Sequence, residues 1–278
     1  MTKKILVTTD FSENSKAGLH FAIQLASQNN YDLVFFHTPH ILIPTAWNNN
    51  RMEVYEEEQV KIYEDKLHVF VKEVYESLNI TPLKIKCVVK NSVFPQSNIM
   101  EYAAKNSFSY ICISTRGAGK AARMLGTNTG NLINHSDVPV IAVPDNYTMT
   151  PITSVLLASD LIDFKKEITQ AVAFAEPLHA TIELLHLTSA FEHNEDLKAI
   201  EDSVKAESVY PIHFNLLNRD PDTSLVADIE GAVRKMNPSL MIMFTEQNRS
   251  WFEKIFLSSK SAEYSFNAKV PLLVFRKV

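Results

Sequence analysis

The glycines of this chain are concentrated in one short segment that could bind phosphate. Four of the six glycines lie within residues 114–130, in the sequence STRGAGKAARMLGTNTG: Gly117, Gly119, Gly126 and Gly130. An apolar run at residues 110–113 precedes the segment and predicts a buried strand. Glycine lets backbone amides approach an anion closely, and a glycine-rich connection from a strand to a helix is a common phosphate-binding arrangement. The segment therefore predicts a phosphate site, with the hydroxyl group of Thr127 beside it.

Strand-like and helix-like segments that would position this loop alternate through the first half of the chain. Buried strands are predicted at residues 4–9, 33–38, 83–89, 110–114 and 138–143. Helices are predicted at about residues 12–28, 51–79, 93–105 and 127–135, with Ser12 capping the first. Five strands that alternate with helices indicate an open α/β sheet of parallel strands.

The second half of the chain repeats the layout of the first. SVLLASD at residues 154–160 corresponds to KILVTTD at residues 4–10, and TIELLH at residues 181–186 corresponds to DLVFFH at residues 32–37. His37 and His186 thus occupy equivalent strand ends, which indicates a structural place in the repeat. We predict two tandem domains, residues 1–146 and residues 151–278, joined by the proline-containing segment PDNYTMTP.

Composition limits the partners and the compartment. The net charge is −5 and the sequence pI is about 6.0, which argues against nucleic acid because that binding depends on clustered Lys and Arg. Cys87 and Cys112 lie in apolar runs and are expected to be reduced core residues. The sequence has no signal-like segment and no apolar run of about 18 residues. We expect a cytoplasmic protein that does not enter a membrane.

Three motifs carry a resemblance to a known family. They are ILVTTDFSENS at the start, FFHT at the end of the second strand, and GT followed by SDVPVIAVP near residue 140. With these motifs the chain resembles the universal stress proteins in their tandem two-domain form. The resemblance implies two tandem open-sheet domains of α/β class, each with five mainly parallel strands and helices on both faces, of the adenine nucleotide alpha hydrolase-like type. It also implies that the two domains form an intramolecular pseudo-dimer, with room for a further homodimer and for unknown protein partners.

The family resemblance also implies a nucleotide site in the first domain. Members that bind nucleotide carry G-x-x-G, nine residues, then G followed by Ser or Thr. Here Ser114 stands at the first glycine, and eight residues separate Gly117 from Gly126. Carried over, adenine would lie against the main chain of Thr38 and the Thr8, Thr9 and Asp10 turn, and ribose near Asp10 and Ser114. The phosphates would lie over the loop and the following helix, whose implied binding residues are Arg116, Gly117, Gly119, Gly126, Thr127 and Asn128.

The expected ligand is ATP or AMP, with Mg²⁺ accompanying the phosphates through ligands that the sequence leaves unknown. The resemblance implies a sensor or regulator of the stress response. Two alternatives stay open: a nucleotide-free scaffold that acts through protein partners, and a slow ATP hydrolase. The sequence contains no nucleophile elbow, zinc-binding His pair or kinase signature, so an efficient enzyme is not expected.

The second domain lacks the glycine loop. In the sequence FTEQNRSWFEKIFLSSKS, the family's three glycines correspond to Thr245, Asn248 and Ser258. Trp251 and Phe252 would crowd the place that phosphates need. We predict that this domain does not bind nucleotide, although Asp160 is retained as a helix cap.

Three rival motifs are weaker. GAGKAA at residues 117–122 fits the dinucleotide fingerprint, but it precedes the last strand of its domain and does not follow the first. A P-loop would need Ser or Thr after Lys120, where Ala121 stands. The histidines of the second half could suggest a metal site, but their spacing matches no ligand pattern: His179, His186, His193 and His213.

Overall fold

The chain forms two compact units that divide between Met149 and Thr150. The protein is described from a computed structural model. The structure describes residues 2–44, 46–82, 84–115, 127–188, 194–220, 222–245 and 270–276. Each unit contains five parallel strands, and the two units are described separately below.

The first unit alternates five strands and four helices. Its strands are β1 (Lys4–Thr8), β2 (Asp32–His37), β3 (Cys87–Val89), β4 (Tyr110–Ser114) and β5 (Val140–Val143). Its helices are α1 (Lys16–Asn29), α2 (Asn49–Ser77), α3 (Pro95–Lys105) and α4 (Thr127–His135). The α/β class and the parallel sheet expected from the sequence are confirmed.

The strand order in this unit is β3-β2-β1-β4-β5, so the chain changes direction across the sheet after β3. Right-handed crossovers then place α1 and α2 on one face and α3 and α4 on the other. Phe35 and Phe36 pack on opposite faces of the sheet, because consecutive side chains of a strand point to opposite sides. The ring of Phe35 meets Tyr75 of α2 edge-on at 6.1 Å, and the ring of Phe36 stacks on Tyr102 of α3 at 4.8 Å.

The second unit repeats this arrangement. Its strands are β6 (Ser154–Ala158), β7 (Thr181–Thr188), β8 (Ile212–Asn218), β9 (Leu240–Thr245) and β10 (Leu272–Arg276), in the order β8-β7-β6-β9-β10. Its described helices are α5 (Phe164–Ala175), α6 (Asn194–Glu207) and α7 (Leu225–Met236). The apolar run of the central strand is fully buried in both units, as coverage on both faces requires: Ile5, Leu6 and Val7 in β1, and Val155, Leu156 and Leu157 in β6.

Several element ends differ from the predicted ones for local reasons. Ser12 caps a 3-10 turn at Glu13–Ser15 that leads into α1, by accepting a hydrogen bond from the Ser15 N–H. Strand β3 is limited to Cys87–Val89. Proline sets two of the boundaries: Pro95 occupies the first turn of α3, and β5 begins after Pro139.

Helix α2 is the longest described helix, with 29 residues. Asn48 caps it by accepting a hydrogen bond of 2.9 Å from the Arg51 N–H. Its buried residues lie only in the second half, from Leu67 onward, while Ile62 and Val69 are exposed. Neither this helix nor any other in the described ranges is long and apolar enough to cross a membrane.

Candidate functional site

The turn after β1 is held by its own side chains. The Thr9 hydroxyl accepts a hydrogen bond of 3.0 Å from the Phe11 N–H, and it lies 2.7 Å from the Ser15 hydroxyl. The Asp10 carboxylate accepts from the N–H and the hydroxyl of Ser12, at 3.0 and 2.6 Å. Phe11 has a φ of 64°, a left-handed conformation that these bonds maintain. The turn therefore presents an exposed Asp10 at the carboxyl end of the central strand.

His37, the last residue of β2, fixes the same turn from the neighbouring strand. Its Nδ1 lies 2.8 Å from the carbonyl oxygen of Thr9. A carbonyl oxygen can only accept, so Nδ1 carries the proton. The Phe11 ring lies on the imidazole with centroids 4.3 Å apart, and Tyr63 of α2 lies 5.4 Å away. Burial lowers the pKa of His37, which favours the neutral ring.

The second unit has the same turn with different side chains. The Ser159 hydroxyl accepts from the Leu161 N–H at 2.9 Å, and the Asp160 carboxylate accepts from the Ile162 N–H at 3.0 Å. Leu161 also has a φ of 64°. His186 Nδ1 lies 3.0 Å from the Ser159 carbonyl oxygen. The prediction that His37 and His186 hold equivalent structural places is confirmed.

Ser114, which stands where the family has glycine, joins β4 to α1. Its hydroxyl accepts a hydrogen bond of 2.9 Å from the Gly18 N–H and donates one of 3.1 Å to the Ser15 carbonyl. A Cβ atom on Gly18 would lie 3.0 Å from the Ser114 hydroxyl oxygen, so this close approach requires a glycine. The Ser114 side chain is thus directed to the face of the sheet that carries α1.

The predicted site residues divide between the two faces of the sheet. Thr9 joins Ser114 on the α1 face through its contact with Ser15. Thr8, whose side chain alternates with that of Thr9, belongs to the opposite face, and so does Thr38. The Asn98 amide of α3 lies 3.4 Å from the Thr38 hydroxyl, which shows that Thr38 faces the α3 side.

Helices α3 and α4 meet above this second face. Gln96, in the first turn of α3, donates a hydrogen bond to the Asn128 side chain in the first turn of α4. Gln96 and Asn98 were not predicted from the sequence. Their position could have indicated them, because polar residues in the first helical turn after a strand lie at the carboxyl edge of the sheet.

The strand order changes direction between β1 and β4, so a ligand crevice is expected at the carboxyl ends of these two strands. The helices that follow these two strands lie on opposite faces, which is where open α/β sheets bind their ligands. Thr127 begins α4 at this edge, so main-chain N–H groups of its first turn are available to an anion. Arg116, Gly117, Gly119 and Gly126 lie outside the described residues.

The main chain of Thr38 is the most informative feature of this edge. The Phe36 carbonyl accepts from the Thr9 N–H, and the His37 carbonyl accepts from the Lys90 N–H on the other side. Because main-chain groups of consecutive strand residues point alternately to the two neighbouring strands, the N–H and C=O of Thr38 point toward β1, beyond the last residue of that strand. Within the described residues, no hydrogen bond engages the N–H or the C=O of Thr38. The edge thus offers one donor and one acceptor side by side.

Strand register corrects the predicted correspondence of the second unit. Cys112 lies opposite Val7, and Ile242 lies opposite the equivalent Leu157. Counting along β4 and β9 from these pairs, the residue equivalent to Ser114 is Phe244, so Thr245 was the wrong equivalent. The two assignments differ by one residue, because sequence spacing alone cannot show where along the loop the two units differ in length. Phe244 is buried and stacks on Phe275 at 5.1 Å. Asn248, Trp251, Phe252 and Ser258 lie outside the described residues.

Two histidines of the second half, His186 and His213, have hydrogen-bond partners. His213 on β8 lies 2.8 Å from the Glu183 carboxylate, whose other oxygen accepts from Asn215 at 2.7 Å. His186 bonds the turn described above, and His193 lies outside the described residues. No group of three or more His, Cys, Asp or Glu side chains in the described parts of the chain could hold a metal ion.

Comparison with known proteins identifies the family of the first unit and the fold of the whole chain. Residues 1–144 match the sequence profile of the universal stress protein family. A universal stress protein from Archaeoglobus fulgidus DSM 4304 is similar in structure, with a TM-score of 0.65 at 17% identity over 99% of this chain and 98% of that chain. The protein PA1789 from Pseudomonas aeruginosa PAO1, described as functionally unknown, gives 0.59 at 14% over 99% and 92%. At these identities the structural likeness shows the fold alone. A search of curated proteins gave no match.

Proposed function

The chain belongs to the universal stress protein family, and on this basis we propose that its first unit binds one adenine nucleotide at the carboxyl edge of its sheet. The main chain of Thr38 is the observation that carries the proposal. Adenine offers a ring-nitrogen acceptor next to an amino donor, which is the complement of the N–H and C=O that Thr38 presents. A base at this place would give both main-chain groups a partner, and unpaired main-chain groups are costly once covered.

The other predicted residues would contact the sugar and the phosphates. Extending the β1–β2 register, whose last pair is Thr8 and Phe36, would bring Asp10 level with Thr38, where its carboxylate would accept from ribose hydroxyls. The Ser114 hydroxyl is engaged by Gly18 and Ser15, so we propose that Ser114 contributes the shape of the strand end and not a ribose contact. The phosphates would lie over the glycine loop and the first turn of α4, which provides main-chain N–H groups from Thr127 onward. Arg116, Gly117, Gly119, Gly126 and Asn128 complete the proposed set.

Mg²⁺ would accompany a bound triphosphate. Protein-bound Mg²⁺ commonly takes phosphate oxygens and waters with only one or two carboxylates. Asp10 is a carboxylate at this edge, and one of its oxygens already accepts two hydrogen bonds from Ser12. The described residues at this edge fit a metal held mainly by the nucleotide.

We propose a ligand-responsive regulator and not an efficient catalyst. Two titratable groups close to the crevice have structural tasks: His37 supports the Thr9 carbonyl under the Phe11 ring, and Asp10 caps Ser12. The other groups named at this edge within the described residues are hydroxyls and amides, which bind and position a ligand. We also propose that the protein acts in a stress response and is located in the cytoplasm. Cys87 and Cys112 have free thiols, and burial raises the pKa of Cys87 to about 11, which suits a reduced structural thiol.

The direct test is to identify what the purified protein carries. The full chain is purified without added nucleotide and denatured, and the released small molecules are identified by mass spectrometry. The proposal predicts an adenine nucleotide in the wild type and a reduced amount in Gly126→Val. Release of an unrelated compound, or no binding of ATP or AMP after exchange into millimolar nucleotide, would contradict it and favour the nucleotide-free scaffold.

A further inference from the structure

Asn98 in the first turn of α3 has a side chain held in one orientation. Its Nδ2 donates a hydrogen bond of 3.0 Å to the main-chain carbonyl of Lys90, and it lies 3.4 Å from the Thr38 hydroxyl. A carbonyl oxygen cannot donate, so the nitrogen of the amide must face Lys90. The oxygen, Oδ1, therefore faces away from the Lys90 carbonyl.

The surroundings of Asn98 are fixed by main-chain bonds. The Lys90 N–H donates to the His37 carbonyl at 3.1 Å, and the Ser92 N–H donates to the Pro39 carbonyl at 3.0 Å. These bonds join the segments that follow β2 and β3. The Asn98 N–H bonds the Phe94 carbonyl at 3.1 Å and anchors the start of the helix. Asn98 is therefore a positioned group beside Thr38.

Oδ1 of Asn98 is an acceptor that the protein leaves open. Both N–H groups of the amide have acceptors nearby, the Lys90 carbonyl and the Thr38 hydroxyl. No donor to Oδ1 occurs among the residues that the structure describes. Gln96, the neighbouring amide of the same helical turn, is engaged instead with Asn128. Of the two amides, Asn98 is the one that lies against Thr38.

We propose that Asn98 Oδ1 accepts a hydrogen bond from the exocyclic amino group of a bound adenine and so selects adenine over hypoxanthine and guanine nucleotides. The inference rests on the proposed function. An amino group has two N–H bonds, and the Thr38 carbonyl can accept only one of them. The second would be buried without a partner unless another acceptor lies beside Thr38. Hypoxanthine and guanine carry an oxygen at this ring position, which would face the Thr38 carbonyl and Asn98 Oδ1 as a third acceptor.

The test compares ATP with ITP, whose base carries an oxygen in place of this amino group and a proton on the adjacent ring nitrogen. Titration calorimetry of the full chain should show tighter binding of ATP in the wild type. Asn98→Ala should weaken ATP binding by about threefold to tenfold, the usual effect of one neutral hydrogen bond. It should not weaken ITP binding, because it also removes an acceptor that faces the ITP oxygen. The ATP to ITP preference should therefore fall by at least the factor lost for ATP.

Asn106→Ala provides the matched control, because it removes the same side chain from the other end of α3, where the amide bonds the Tyr102 carbonyl. It should leave the preference unchanged. Equal losses for ATP and ITP in Asn98→Ala, or an unchanged preference, would show that Asn98 is only structural and would overturn the inference while the proposed function stands. A wild type that binds no adenine nucleotide would overturn both.

Discussion

Nδ1 of His37 donates a hydrogen bond of 2.8 Å to the carbonyl oxygen of Thr9, and His186 makes the same bond to Ser159 at 3.0 Å. Both units therefore fix the turn after their central strand from the end of the adjacent strand. In the first unit this bond also occupies the Thr9 carbonyl. If the ladder of hydrogen bonds between β1 and β2 continued, the Thr38 N–H would donate to this carbonyl. The hydrogen bond from His37 to Thr9 therefore helps to explain why the main-chain groups of Thr38 have no partner among the described residues.

His37→Phe should lower the free energy of unfolding by about 1–3 kcal/mol, because the Thr9 carbonyl would lose its donor inside the fold. His37→Asn places an amide N–H near the position of Nδ1 and should recover part of the loss. Chemical denaturation monitored by circular dichroism measures both. Equal stability of wild type and His37→Phe would show that the hydrogen bond contributes nothing.

The stability of the wild type should fall on acidification below about pH 6.5, the ordinary pKa of histidine. Burial is the main reason that the pKa of His37 is lowered in the folded chain, and the nearby Lys66 adds to it. Below the ordinary pKa the unfolded chain takes up a proton that the folded chain does not, so unfolding becomes easier until the folded pKa is reached. His37→Phe should reduce this slope. A part should remain, because the pKa of His20 is also lowered, first by burial and then by Lys16. An identical slope in the variant would contradict the assignment.

Gly18→Ala should destabilise the protein by about 1–2 kcal/mol, although alanine is the better helix former. Its Cβ would lie 3.0 Å from the Ser114 hydroxyl oxygen and 3.2 Å from the Ser114 main-chain nitrogen, so β4 would have to move. Gly231→Ala in α7 is the matched control, since its Cβ would have no atom within 4 Å. That variant should gain about 0.5–1 kcal/mol. Thermal melting of both variants tests the contact, and a stabilised Gly18→Ala would refute it.

Gly126→Val should abolish nucleotide binding and preserve the fold. The added side chain would fill the place where phosphate must approach the main chain. Ser258→Val, at the position that the sequence equates with Gly126 in the second unit, should bind nucleotide as the wild type does. Melting curves separate loss of binding from loss of folding. Normal ATP binding by Gly126→Val would show that the phosphates bind elsewhere.

The first domain expressed alone, residues 1–146, should self-associate. The family resemblance implies that the last strands of the two domains, near residues 138–143 and 272–275, pair within the intact chain. A lone domain would then expose a short apolar edge strand to a copy of itself. Sedimentation measures the association. A strict monomer at high concentration would contradict the expected pseudo-dimer, which stays a prediction.

The sequence was sufficient for the repeat and for the turn after each central strand. The Asp10 and Asp160 turns and the two strand-end histidines could be predicted, because short buried strands and their polar ends have strong local patterns. The side chains of Thr8 and Thr9 point to opposite faces of the sheet, which could have been predicted from the alternation of side chains along a strand. The family motif instead treats both as ligand residues. The close approach of Gly18 to Ser114 could not be predicted, because it joins residues 96 positions apart. The roles of Gln96 and Asn98 depend on the packing of α3 beside Thr38 and likewise needed the structure.

The asymmetry of the two units is the central claim, and the stoichiometry of nucleotide binding tests it most directly. Titration calorimetry of the full chain with ATP and Mg²⁺ should give one site per chain. The same titration of Gly126→Val should give none, and Ser258→Val should again give one. Two sites in the wild type would show that the second unit also binds nucleotide. Absence of binding up to millimolar ATP would contradict the account as a whole.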